Sequence, residues 1–286
     1  MNTQPLVSII CLCYNHKPFI EEAVISALKQ SYNNLEIIVV DDFSTDGSQD
    51  VIQSLSAKYP EIKVLLLDRN YGNTVAFNRG FELANGSFII DLATDDVLYP
   101  KRVEVGVREF INSEDNMGVH FTNAQLIDKN SEVIRTFYEV DGIGHAKTSP
   151  PAGDIYIELI QRFFICPPTM MYRRDVIERL NGYDETLHYE DFDFWIRSSR
   201  LFHYLYTDQV LVKRRILPYS HSSSQFKIGS RHMISTYKVC QKIKALNRTE
   251  AENRALKKRI RYEMKQCLRW LNPSLFFSYY QLLRSI

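Results

Sequence analysis

A chain of 286 residues with 45% hydrophobic and 24% charged side chains has ordinary globular composition and can bury a large core, which excludes a wholly disordered protein. Its net charge of +1 hides an uneven layout: from Lys238 to Trp270 there are 11 Lys or Arg against 3 Glu, a balance of +8, so the remainder carries −7. An acidic body with a basic C-terminal arm argues against nucleic acid as a partner and for a local anionic one, such as a membrane surface.

Leu6 to Cys13 (L-V-S-I-I-C-L-C) is a continuous apolar run of strand length, the pattern of a strand covered on both faces in a parallel sheet. Cys11 and Cys13 sit two apart on it and share a face, which reads as packing rather than a redox or metal motif. The five cysteines are otherwise scattered, so reduced thiols and a cytoplasmic location are expected. The N-terminus carries no basic segment ahead of its apolar run, and no window offers the ~18 uninterrupted apolar residues of a membrane span.

Tyr14-Asn15-His16 ends the first strand, and Pro18 opens a helix with Ile20, Ala23, Val24, Ala27 and Leu28 on one face. Leu35 to Val40 is a second strand ending in Asp41-Asp42; a helix carrying Val51, Ile52, Leu55 and Tyr59 follows the turn at Ser44 to Gly47. Ile62 to Leu67 is the third strand. Thr74 to Asn85 is the third helix, closed by Gly86 where a left-handed cap is favoured. Ser87 to Leu92 is the fourth strand, running out into Thr94, Asp95 and Asp96. This is a doubly wound α/β pattern, and right-handed crossovers bring every strand's C-terminal end to one edge, where ligands bind. That edge collects Tyr14, Asn15, Asp41, Asp42, Asn70, Asp95 and Asp96.

Beyond residue 100 the rhythm changes. Met117 to Thr122 and Glu132 to Glu139 read as strands, Asp154 to Phe164 as helical, and Asp191 as the cap of a helix with an Asp193–Arg197 pair. Leu256, Ile260, Met264, Cys267, Leu268 and Leu271 stripe a basic helix that Asn272-Pro273 ends. The stripe suits either docking on the body of the chain or an interfacial membrane contact.

Two adjacent carboxylates repel each other unless a cation sits among them, so Asp95-Asp96 points to Mg²⁺ or Mn²⁺ with a diphosphate as second ligand; taken alone, the pair also fits a polar turn. No G-x-G-x-x-G follows the first strand and no G-x-x-x-x-G-K-[ST] occurs, so a dinucleotide oxidoreductase or a P-loop enzyme would lack its phosphate cradle.

Five segments instead resemble the inverting glycosyltransferases of family 2, of the kind that builds bacterial surface polysaccharides: P-L-V-S-I-I-C-L-C-Y-N at 5–15, E-I-I-V-V-D-D-F-S-T-D-G-S at 36–48, N-Y-G-N-T-V-A-F-N-R-G at 70–80, T-D-D at 94–96 and Y-E-D-F-D-F-W-I-R at 189–197. The resemblance covers roughly residues 5 to 221. It implies a GT-A fold, a Rossmann-like and mainly parallel sheet flanked by helices. A catalytic domain would span 1–230, with a nucleotide-sugar half to about 100 and an acceptor half from 101, and a helical, basic C-terminal extension would span 231–286.

The resemblance places the nucleotide at Tyr14, Asn15 and Asp42, the ribose at Asp95, the metal at Asp96 and the catalytic base at Asp191. An acceptor-only carboxylate at Asp42 would suit the N–H of uracil or thymine. The chain departs from the family pattern at Ala93, at Phe77 with Arg79 displaced, and at Arg215-Ile216-Leu217, where an R-x-H pattern is usual and His221 stands four residues on. Arg173 and Arg174, within 142–175, are expected to shape the acceptor cleft. The implied reaction moves a sugar from a nucleotide-diphosphate donor, a UDP-sugar by preference, to a hydroxyl of a glycan or lipid-linked glycan. The alternative is an inactive nucleotide-sugar or glycan-binding subunit; a nucleotidyltransferase would need a basic Gly-rich N-terminal loop that this chain lacks.

Overall fold

The computed structural model describes residues 4–217 and 230–286. Val7–Cys13 form β1 with every side chain buried, as a strand covered on both faces must be. β2 (Leu35–Asp41) and β4 (Phe88–Ala93) pair with β1 in parallel on its two sides, and β3 (Ile62–Leu66) pairs in parallel with β2. Parallel neighbours need long crossovers, and α1 (Ile20–Leu28), α2 (Ser48–Lys58) and α3 (Asn73–Leu83) provide them. Ile9, Cys11, Cys13 and Val39 of the sheet pack with Ile20 and Val24 of α1 and Leu55 of α2 in one core. The opposite sheet face meets α3 at Gly80, where a Cβ would stand 2.6 Å from Ile10 Cγ2 and 3.0 Å from Val40 Cγ2. All five cysteines are free and buried.

Two expectations at this level change. Gly86 is not among the glycines with positive φ, and α3 ends earlier, at Leu83 with an extended Ala84. Glycine is required there because a Cβ would stand 2.5 Å from both the backbone N and Oγ of Ser8. The second half of the sheet is also larger than the pattern of apolar residues indicates. β5 (Val97–Leu98), β6 (Met117–Ile127), β7 (Val133–Thr136), β8 (Met171–Arg173) and β9 (His203–Arg215) complete nine strands in the order β3-β2-β1-β4-β8-β6-β9-β5, with β7 on β6. β6 outruns the expected end at Thr122 because β9 pairs with it in parallel as far as Ile127–Arg215, while β7 is shorter than the run from Glu132 to Glu139.

The chain divides into two units. The first, residues 1–153, 165–183 and 202–216, holds the whole sheet with α1, α2, α3, α4 (Arg102–Ile111) and α6 (Arg174–Leu180). The second, residues 154–164, 184–201 and 217–286, is helical: α5 (Tyr156–Gln161), α7 (Glu190–Ser199), α8 (Arg231–Leu246), α9 (Glu250–Arg269) and α10 (Pro273–Arg284). Thr249 opens α9 with a capping box, its side chain accepting from Glu252 N while the Glu252 carboxylate accepts from Thr249 N. Within this unit Arg259 of α9 pairs with Glu263 at 2.7 Å and lies over the rings of Phe163 and Phe192 at 4.2 and 4.5 Å. Among the described residues no helix is long and apolar enough to cross a membrane.

Candidate active site

The C-terminal ends of β1, β2 and β4 carry the residues that matter. At the end of β1, Tyr14 is exposed and Asn15 takes a left-handed conformation, φ 58°. Asn15 is stitched to the loop after β2: its N–H donates to Ser44 Oγ at 2.8 Å and its Oδ1 accepts from Thr45 N at 2.8 Å. Asp42 lies one residue past β2, and its N–H donates to Cys13 O at 2.9 Å, continuing the ladder. Its two carboxylate oxygens accept from the N–H groups of Tyr71 and Gly72 at 2.7 and 2.8 Å, so Asp42 also shapes the loop after β3. Burial pushes the Asp42 carboxyl up, and those two amides pull against it. Asp41 is fully buried; its Oδ2 accepts from Ser44 N and Gln49 Nε2, while its Oδ1 has no hydrogen-bond partner.

Past β4, Thr94 donates from both N and Oγ1 to Leu12 O at 2.9 and 3.0 Å, tying the acidic turn to β1. Asp96 is buried and its Oδ1 accepts from the backbone N of Arg215 at 2.7 Å. Burial first, and the adjacent charge of Asp95 second, hold the Asp96 carboxyl well above the usual carboxylate range.

His16 enters here as a residue that motif reasoning missed, and Arg215, noted in the sequence only where the R-x-H pattern breaks off, takes a larger part. The Arg215 guanidinium, buried over the Phe19 ring at 4.5 Å, donates to Asp95 O (2.9 Å), Asp128 O (2.9 Å), Ser131 Oγ (3.0 Å) and Glu22 Oε2 (2.8 Å). It braces the turn from behind. His16 Nδ1 lies 2.9 Å from Thr94 Oγ1 and 3.9 Å from Asp95 Oδ1. The signal for His16 was its place directly after Tyr14-Asn15 on the ligand edge; for Arg215 it was the arginine position of the R-x-H pattern, which points to no role in bracing the acidic turn.

Two adjacent carboxylates, one buried with its proton affinity raised by the other, fit a divalent cation, whose charge would relieve both effects. Among the described residues no group of three or more His, Cys, Asp and Glu is placed to hold a metal, so the pair would leave the remaining coordination positions to phosphate and water.

The sequence-derived residues Tyr14, Asn15, Asp42, Asp95 and Asp96 thus share one edge of the first unit, whereas Asp191 belongs to the second. Asp191 is half-buried inside the first turn of α7 with Glu190, not at its cap, which is Tyr189. The expected Asp193–Arg197 pair forms at 2.6 Å, and Lys242 of α8 reaches the other Asp193 oxygen and Asp184, each at 2.6 Å. Arg173 and Arg174 do not approach the acidic turn. Arg173 pairs with Phe88 at the opposite end of β4, roughly 17 Å of strand away, and donates to Asp175 and Asp115 O, while Arg174 stacks on Phe81. His221 lies outside the described residues.

A mixed sheet whose strand ends carry carboxylates, in place of a glycine-rich phosphate loop, sets this α/β chain apart from dinucleotide and P-loop enzymes. The family model described as glycosyl transferase family 2 matches residues 8–180, and the chain belongs to that family. A glycosyltransferase of Rickettsia prowazekii, itself uncharacterized, is 30% identical over 214 residues, 74% of this chain and 64% of its own length. The putative teichuronic acid biosynthesis glycosyltransferase TuaG of Bacillus subtilis is 35% identical over 136 residues, 48% of this chain and 53% of its own. The chain therefore spans between about half and two thirds of these relatives. Among solved structures, residues 1–349 of Staphylococcus aureus TarS in complex with UDP-GlcNAc superpose with a TM-score of 0.69 at 19% identity, over 92% of this chain and 73% of that one. The mannosyltransferase PcManGT of Pyrobaculum calidifontis, in complex with GDP-Man and Mn²⁺, gives 0.63 at 16% identity, over 99% and 75%. At such identities the likeness is one of fold, and the fold is GT-A.

Proposed function

We propose that this glycosyltransferase moves a sugar, with inversion, from a nucleotide-diphosphate donor to a hydroxyl of a glycan or lipid-linked glycan in surface polysaccharide assembly. The observation that carries the reading is the convergence of Tyr14, Asn15, Asp42, Asp95 and Asp96 from three strand ends onto one edge. Support also comes from TarS, solved with UDP-GlcNAc, and from TuaG, named for teichuronic acid synthesis.

In this reading the exposed Tyr14 ring stacks on the base. Asp42 keeps a second lone pair on each oxygen beyond the bonds to Tyr71 and Gly72, and one of these accepts a base N–H, which favours a UDP-sugar. Asp95 holds the ribose and Asp96 a divalent cation, with Mn²⁺ present in the PcManGT complex as precedent. The bound cation supplies Lewis-acid neutralisation of the departing diphosphate. Asp191 takes the acceptor hydroxyl proton as that oxygen attacks the anomeric carbon opposite the diphosphate, and one displacement inverts the carbon. The catalytic domain is assigned to 1–230 and the basic extension to 231–286, and the enzyme is placed on the cytoplasmic side.

The test is UDP release from a panel of nucleotide sugars, with and without Mn²⁺, by the intact protein and by Asp191→Asn. Metal-dependent release that falls at least about 100-fold in Asp191→Asn, with donor affinity kept within about twofold, is expected. Saturable donor binding without release would leave the inactive binding subunit.

A further inference from the structure

The second unit carries a surface to which the proposed reaction assigns no residue. α9 and α10 form a helical hairpin whose inner faces, with Leu256, Ile260, Glu263 and Cys267 on α9 and Leu275, Tyr279 and Leu282 on α10, are buried. The outer side presents Leu268 (62% exposed), Phe277 (63%), Tyr262 and Tyr280, with Leu271 (74%) at the turn. Leu268 and Leu271, read in the sequence as part of one apolar stripe, are exposed, whereas Arg259 and Glu263 are buried as an ion pair.

Leu271 also stands where folding would not choose it. The turn is a complete Schellman motif: Asn272 N–H donates to Cys267 O at 2.9 Å and Leu271 N–H to Leu268 O at 3.3 Å. Leu271 therefore occupies the left-handed position, φ 50°, that glycine fills at no cost. A leucine in this conformation, 74% exposed, buries little of its side chain in return for the strain.

The charge around it has one sign. From Met264 to Ile286 there is no Asp or Glu, and Arg261, Lys265, Arg269 and Arg284 are exposed around the apolar side chains. We infer that the α9–α10 hairpin docks on an anionic phospholipid surface, Leu271 and Phe277 entering the acyl boundary while the cations engage phosphate headgroups. Apolar residues ringed by cations match a bilayer with negative headgroups over an apolar interior. The inference adds a membrane site to the proposed use of a lipid-linked acceptor, but it stands on this surface alone.

The experiment is flotation of the full chain with vesicles of phosphatidylcholine, pure or with 30% phosphatidylglycerol. Neither needs donor nor turnover, so its outcome is separate from that of the UDP-release assay. Binding to the anionic vesicles at low salt, weaker at high salt and absent with pure phosphatidylcholine, is expected. Leu271→Gly relieves the backbone strain and should raise Tm by about 2–4 °C while weakening vesicle binding roughly fivefold or more. Lys265→Glu with Arg269→Glu should weaken it at least about tenfold. No binding at low salt, or binding that Leu271→Gly, Phe277→Ser and the charge reversal all leave unchanged, overturns the inference. So does concentration-dependent dimerisation lost in Leu271→Gly without any vesicle binding, which would make the surface a contact between copies of this chain.

Discussion

Arg215 decides where the two carboxylates of the acidic turn stand. Its backbone N–H engages Asp96 and its guanidinium holds Asp95 O, so both ends of the residue act on the same turn. Arg215→Met keeps the backbone bond and strips the Asp95, Asp128 and Ser131 acceptors of their partner. A loss of about 3 kcal/mol in stability is expected from urea unfolding. The Mn²⁺ concentration for half-maximal UDP release should rise at least about tenfold, with Arg215→Lys intermediate; equal metal requirements in all three proteins would confine Arg215 to a structural role. Glu36 gives a pH prediction away from the site. Burial raises its carboxyl, but donors outweigh it: Lys63 Nζ at 2.7 Å, Ser8 Oγ at 2.5 Å and the N–H of Asn85, which together hold it at about 2. A depressed carboxyl contributes stability above its unfolded value, 4.5, that is lost as pH falls toward 2. Acid unfolding of the parent should therefore lose on the order of 1–2 kcal/mol through that window after solvent screening, a slope that Glu36→Gln flattens.

Among the elements, α7 is tied to α8 through charge. Asp193 is buried on the helix face behind Asp191 and takes one cation from its own helix, Arg197, and one from α8, Lys242. Asp193→Ala removes the buried carboxylate that Arg197 and Lys242 share, leaving Lys242 its bond to Asp184, and should lower stability by about 3 kcal/mol, read as an earlier unfolding transition; Asp193→Asn should recover part of it. The Asp193–Arg197 half of this arrangement was legible from spacing alone, but the Lys242 half joins residues 49 apart in sequence, and no local pattern encodes that. The same division runs through the sheet. β1 to β4 were readable because strands buried on both faces write continuous apolar runs. β9 was not, because its Lys213, Arg214 and Arg215 belong to an element whose pairing with β6, not its composition, makes it a strand. Gly86 was placed correctly as a necessary glycine and explained wrongly, since the close approach of Ser8 lies in the tertiary structure.

At the scale of the whole molecule, charge is distributed by task. The sum of +1 combines a C-terminal stretch of +8 with a remainder of −7, and that remainder includes Asp41, Asp42, Asp95 and Asp96 on the proposed donor edge. The edge was legible because α/β crossovers fix where strand ends gather, while the bracing by Arg215 was not, because the arginine stands 120 residues from Asp95. A nucleoside diphosphate approaching this edge brings negative charge toward carboxylates; Arg214 and Arg215 offset part of the charge at Asp96, but the Arg215 guanidinium is buried and already committed. Two like charges about 5 Å apart at an effective dielectric near 20 repel by roughly 3 kcal/mol, which corresponds to about 100-fold in affinity. UDP should therefore bind in millimolar Mn²⁺ and weaken by about that factor in EDTA, measured by calorimetry. Asp96→Asn should reverse the sign of the effect, binding UDP better than the parent in EDTA and gaining little from Mn²⁺, because it removes both the repulsion and the ligand. Equal affinity in Mn²⁺ and EDTA for the parent would mean that the diphosphate rests on cations elsewhere in the chain and that the acidic turn serves the sugar alone.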